Sequence, residues 1–98
     1  MGAFQSAEFL ALLPRYPHLY VDTTMAMSPY ATRYVGADPA AVSDADLLRY
    51  QDRILFGSDF PLIPYDYDEE RRWAWERALG HDVRRKIFHD NVRTFLSV

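Results

Sequence analysis

Cysteine is absent from the 98 residues, which excludes a disulfide framework and any thiolate metal site and is in keeping with a reducing cytosol. No stretch reaches the roughly 18 apolar residues that a membrane span needs. The first residues lack the basic and apolar regions of a signal peptide. There is no basic run, and the densest charge cluster, Asp66 to Arg72, mixes both signs, so phosphate binding by counterion release has no footprint. Internal repeats, low-complexity tracts and linkers are missing too. What remains is a chain with a formal charge of -3 and nearly half its residues apolar, the composition of a globular protein. It reads as one soluble, cytoplasmic domain over residues 1–98, with no nucleic-acid or membrane partner, near the size at which buried surface only just offsets chain entropy.

Apolar residues spaced along Phe4 to Leu13 (Phe4, Ala7, Leu10 and Ala11 among them) predict a short amphipathic helix that Pro14 and Pro17 end. Leu19 to Thr23 is β-branched and aromatic, too short for anything but a strand. A long connection follows, punctuated by Pro29, Gly36 and Pro39, with a helical turn around Tyr30 to Tyr34. Ser43 with Asp46 three residues on resembles a capping box, so a helix is expected from Asp44 to about Tyr50. The near-continuous apolar run Ile54 to Gly57 predicts a second strand, buried on both faces as in parallel sheets. Asp68 to Leu79 has acids in its first turn and Gly80 just beyond it, the asymmetry of a helix. Val83, Ile87 and Phe88 mark further helical turns, and Asp90 or Asn91 is placed to cap a last short helix. Two strands joined by a helical crossover are most simply parallel neighbours, giving an α/β fold.

The stretch RILFGSDFP, Arg53 to Pro61, carries the chemistry. Alternation puts Leu55, Gly57 and Asp59 on one face, so Asp59 stands at the carboxyl end of a strand with a side-chain-free position beneath it, open to an ion or substrate. Sites collect at the carboxyl ends of parallel strands. The same residues also suit a plain turn, because Gly-Ser-Asp before Phe-Pro can satisfy its own backbone.

RILFGSDFP resembles the last-strand signature of the amidohydrolase-related family, metal-dependent (β/α)8-barrel enzymes with an aspartate at that strand's end. Leu13 to Thr24 resembles the family's preceding helix end and strand, with His18 where asparagine is frequent. Arg85 to Leu96 resembles its closing helix. The three segments occur in the family's order. The resemblance implies the C-terminal portion of a (β/α)8 TIM barrel, two parallel strands with flanking helices. It also implies a small-molecule substrate and a divalent metal ion, zinc in the first place. Asp59 is then the metal-proximal general base that serves metal-activated water in hydrolysis, although some relatives use the scaffold for non-oxidative decarboxylation.

The same resemblance marks what is missing. The family's His-x-His pair and its further histidines on the fifth and sixth strands have no match, and Met1-Gly2-Ala3 looks like the residues just after the sixth-strand histidine. His18, His81 and His89 sit at turns and helix ends far from the strand's carboxyl end. A catalytic zinc takes about three protein ligands, so the expectation is a C-terminal fragment that holds metal weakly and is inactive alone. The alternative is a non-catalytic interaction or structural module that self-associates through exposed strand edges.

Further candidates are Asp22, Thr23 and Thr24, at the end of the first strand, where turn bonding competes with substrate contact. Tyr65 and Tyr67 follow Asp59 as residues for a pocket mouth or for packing on Trp73. Trp73 and Trp75 read as packing residues. Glu69-Glu70-Arg71-Arg72 reads as a solvated helix face with i,i+3 and i,i+4 ion pairs.

Overall fold

The computed structural model describes residues 1–2 and 5–97. Ala3 of the opening motif and Phe4 of the first expected helix lie outside them. In chain order the elements are α1 (Ser6–Leu10), β1 (Val21–Asp22), α2 (Ala31–Val35), α3 (Asp44–Arg49), β2 (Ile54–Leu55), α4 (Tyr67–Trp75), α5 (His81–Arg85) and α6 (Asn91–Leu96), with a 3-10 turn at Pro39–Ala41 and a π turn at Lys86–Asp90. The strands are parallel, Val21 opposite Ile54 and Asp22 opposite Leu55, and the crossover between them carries α2 and α3. This is the expected α/β arrangement of two parallel strands with flanking helices.

The buried apolar side chains explain the placement. Ile54 on β2 packs in a core with Val21, Leu10, Leu13, Val42, Leu47, Ala74 and Ile87, drawn from both strands' surroundings and from four helical segments. Burying a side chain of the size of Leu or Ile contributes about 1.5–3 kcal/mol, so few such residues must hold much of this small fold. The stripe on α1 is narrower than its spacing suggested. Leu10 and Leu13 are buried, but Ala7 and Ala11 stay exposed. β2 is fully buried only at Ile54, while Leu55 and Phe56, on opposite faces, are half-buried, so neither face is covered along its whole length.

Local chemistry sets several boundaries. The capping box of α3 is present: the Asp46 N–H donates to Ser43 Oγ (3.1 Å), and the Ser43 N–H donates to Asp46 Oδ2 (3.2 Å). Asp66, not Asp68, opens α4, its carboxylate accepting from the amides of Asp68 and Glu69. The helix ends at Trp75 rather than Leu79. Arg77 is pulled out to the crossover loop, its guanidinium donating to the carbonyls of Val42 (2.8 Å) and Pro39 (3.2 Å) and to Asp44 Oδ1 (3.1 Å). Gly80, at φ 80°, therefore introduces α5 instead of closing α4; a left-handed φ there favours glycine.

Asp90 and Asn91 do not cap α6. Both are helical, and α5 runs through the π turn into α6. Asn91 is instead 5% exposed, and its Nδ2 donates to the Gln51 carbonyl (2.6 Å) and the Ile54 carbonyl (2.8 Å). At the widened π turn the Ile87 carbonyl accepts the Phe56 N–H (2.9 Å). Backbone groups at β2's outer edge are thus bonded to the C-terminal helical run, and Asn91 is the pin.

Asn91→Ala takes the donor from the buried Ile54 carbonyl and the part-buried Gln51 carbonyl and should cost roughly 2–4 kcal/mol, about 1–3 kcal/mol for the first and less for the second, as measured by urea unfolding. Asn91→Asp, which supplies no donor at neutral pH, should cost at least as much. A loss within experimental error for both variants would contradict the pin.

Candidate functional site

The carboxyl ends of β1 and β2 lead into two short segments, Thr23–Met25 and Phe56–Asp59. The Thr23 N–H continues the ladder to the Leu55 carbonyl (2.9 Å), and the Gly57 N–H donates to Thr23 Oγ1 (3.2 Å). Thr23 therefore bonds between the strands. Asp22 makes the expected turn bond, Oδ1 accepting from the Thr24 N–H (2.9 Å). The space beneath Asp59 is not empty, contrary to the expectation from glycine alone. A side chain at Gly57 would collide with Thr24 Oγ1 and press on Cβ and Cγ of Asp22 at 3.3 Å. Glycine is needed there because β1's polar end comes so close.

Asp59 is half-buried in the segment after β2. Its backbone is fixed at both ends. The N–H donates to Tyr65 Oη (3.0 Å), and the carbonyl accepts from the Ile63 N–H (3.1 Å). The neighbouring Ser58 Oγ accepts from the Phe60 N–H (3.0 Å) and lies 2.9 Å from Tyr65 Oη. The Phe60–Pro61 peptide is cis. So the turn reading of Gly-Ser-Asp-Phe-Pro holds for its backbone, and the same bonds fix where the aspartate sits.

Tyr65 is not an exposed loop residue. It is 7% exposed, with ring centroids 5.2 Å from Tyr30 and 6.4 Å from both Tyr34 and Phe60. Tyr67 packs on Phe60 (5.7 Å) and Phe56 (6.3 Å), so neither tyrosine uses Trp73. Trp75 stacks edge-on against Phe88, and Trp73 is largely exposed.

Sequence reasoning missed Glu70. Within Glu69-Glu70-Arg71-Arg72 the solvated side belongs to the arginines, which pair with Asp68 at 2.9 and 3.6 Å. The glutamates turn inward: Glu69 Oε2 accepts from the Tyr30 hydroxyl (2.6 Å). Glu70, 3% exposed, accepts from the Met25 N–H at Oε1 (3.3 Å) and from Ser58 Oγ at Oε2 (3.0 Å). Met25 is itself in the left-handed region at φ 59°, a costly conformation for a residue with a side chain. The signal available was position: Glu70 lies one helical repeat before Ala74, on the buried face of α4.

The histidines stay away from this rim. His18 and His81 are exposed, and His89 pairs through Nδ1 with Asp90 Oδ1 (2.7 Å), a contact that holds the Asp90 carboxyl below its usual range. Among the described residues no group of three or more His, Asp or Glu could hold a metal ion. A shallow cleft of about 260 Å³ lies elsewhere, lined by Ala7, Leu10, Ala11, Ala41, Asp46 and Tyr50. The Asp46 carboxylate in its wall is committed to the capping box.

Burial, together with the nearby Glu70 carboxylate, raises the ionisation of Tyr65 above the usual phenol value, and the Glu69 hydrogen bond raises Tyr30 likewise. A raised folded-state value means stability that is complete below the unfolded value of about 10 and lost as pH climbs through the folded one. Unfolding free energy should therefore fall more steeply with pH above about 10 in the parent chain than in Tyr65→Phe. Equal slopes in urea titrations across that range would contradict this.

The comparisons with known proteins meet this geometry. No curated protein and no solved structure matches the chain. The family model described as amidohydrolase matches residues 1–98, the segment that presents Asp59 and its supporting network included. That superfamily is hydrolase-related and generally metal-dependent. With the match running along its whole length, the chain belongs to the amidohydrolase family.

Proposed function

We propose that residues 1–98 act as the C-terminal portion of a (β/α)8 barrel and that Asp59 is the carboxylate general base of a hydrolytic site for a small molecule. The observation that carries this reading is Asp59's place in the segment beyond the carboxyl end of the parallel strand β2, with its backbone held by Tyr65 and Ile63. In this reading the Asp59 carboxylate takes a proton from a water as the water oxygen bonds to a carbonyl carbon, and returns it to the leaving group when the carbon–heteroatom bond breaks. Asp22, Thr23 and Thr24 stand on the same rim, and the nearness of Asp22 and Thr24 to Gly57 supports placing them beside a bound substrate.

The donors present do not compose a metal site. A catalytic zinc takes about three protein ligands, and no such group exists among the described residues. As metal ligand, Asp59 is one donor to a divalent ion, zinc first among the candidates, whose remaining donors lie outside these 98 residues. The other reading is a non-catalytic module that pairs its strand edges. β2's outer edge already bonds Asn91 Nδ2 and the Ile87 carbonyl, and a further strand there, whether from another copy or the neighbour that a closed barrel sets against its last strand, joins only by displacing them.

Manganous ion tests Asp59 even where affinity is low, because a bound paramagnetic ion broadens nearby resonances. Small additions of Mn²⁺ should broaden the amides around Asp59 selectively. Asp59→Asn should weaken that binding by roughly tenfold or more, the scale of effect seen even for outer-shell partners of metals. Uniform broadening, or identical selective broadening in the variant, would overturn the assignment.

A further inference from the structure

We propose that Glu70 is a positioning residue that orients the Asp59 backbone through a relay of two hydroxyl groups, those of Ser58 and Tyr65. The inference rests on the reading of Asp59 as the site's carboxylate and adds to it a residue on another element.

The donor directions follow from counting protons. The Asp59 N–H can only donate, so Tyr65 Oη accepts from it (3.0 Å). The phenol proton is then directed to Ser58 Oγ, 2.9 Å away. Ser58 Oγ also receives the Phe60 N–H (3.0 Å), which occupies its second acceptor site, so its single proton points to Glu70 Oε2 (3.0 Å). Glu70 Oε1 meanwhile accepts the Met25 N–H (3.3 Å). Every proton in the chain points towards the one carboxylate, and reversing the Tyr65–Ser58 link would leave Ser58 Oγ and Glu70 Oε2 facing each other with no proton between them.

A carboxylate at the end of such a series polarises each bond before it, and burial at 3% exposure keeps water from competing. The relay ends on a backbone amide, not on the Asp59 carboxyl group. Its role is therefore to fix geometry rather than to move protons, and the same carboxylate ties the segment after β1 to the segment after β2.

Glutamine has the shape of glutamate but accepts on one side only, so Glu70→Gln must set its NH₂ against either the Met25 N–H or the Ser58 hydroxyl. Amide hydrogen exchange in the full chain reads the result. In Glu70→Gln either the Met25 amide or the Asp59 amide should exchange faster by about tenfold, according to which partner the NH₂ faces, the equivalent of one hydrogen bond. Ser58→Ala cuts the relay but leaves the Glu70 bond to Met25. There the Asp59 amide should loosen while Met25 stays protected.

If Glu70→Gln loosens neither amide, or Ser58→Ala leaves Asp59 as protected as in the parent chain, the carboxylate does not act on Asp59 through the hydroxyls and the proposal is overturned. Should Glu70→Gln not fold, the Ser58→Ala comparison decides. Exchange reads the relay without metal or substrate. A relay that responds as expected beside an Asp59→Asn variant with unchanged Mn²⁺ broadening would retire the catalytic reading and leave the relay standing. The reverse pattern would retire the relay alone.

Discussion

A carboxylate taken out of water must be met by donors, or its burial costs several kcal/mol. Glu70 meets that requirement with a backbone amide just past β1 and a hydroxyl just past β2. The parallel pairing itself is two residues long on each strand, too little to define how the chain leaves the sheet. A single buried carboxylate from α4 supplies the missing constraint, drawing the two exits together and holding Met25 in its left-handed conformation. The positions of Ser58, Tyr65 and Asp59 follow from it.

A second constraint acts on the opposite side of β2. Asn91 and the Ile87 carbonyl bond the strand's outer edge, so β2 is held by β1 on one flank and by the C-terminal helical run on the other. Ile54, fully buried between them, locks the register. Because both flanks are fixed, a change at the end of β2 is transmitted into the Asp59 turn instead of being absorbed by fraying.

Local signals were legible in the sequence wherever the partners are close along the chain. Ser43 and Asp46 cap α3 as their spacing implies, and Asp22 bonds its own turn; the one distant feature that was legible is the parallel pairing of the two apolar runs, which follows from the helical crossover between them. What escaped the sequence depends on distant partners. Glu70 sits among charges and reads as solvated, and the residues that bury it, Met25 and Ser58, are far away along the chain. Arg77 suits a helix interior, but carbonyls in the crossover loop draw it out and end α4 early. Asn91 looks like a cap because asparagine so often is one, whereas its amide is spent on β2. Gly57 looked like open space, and the end of β1 fills it. In each case a tertiary hydrogen bond or contact outweighed a local preference of about 1 kcal/mol or less.

Membership of the amidohydrolase family gives Asp59 a chemical context, and the network explains how this chain would hold such a residue still. The most direct test is a double-mutant cycle on Glu70 and Tyr65, with Glu70→Gln and Tyr65→Phe alone and together, read by urea unfolding. The two side chains are joined through Ser58, so a continuous relay predicts a coupling energy of about 0.5–3 kcal/mol. Strictly additive losses would mean that the carboxylate and the phenol act independently, and would contradict the account.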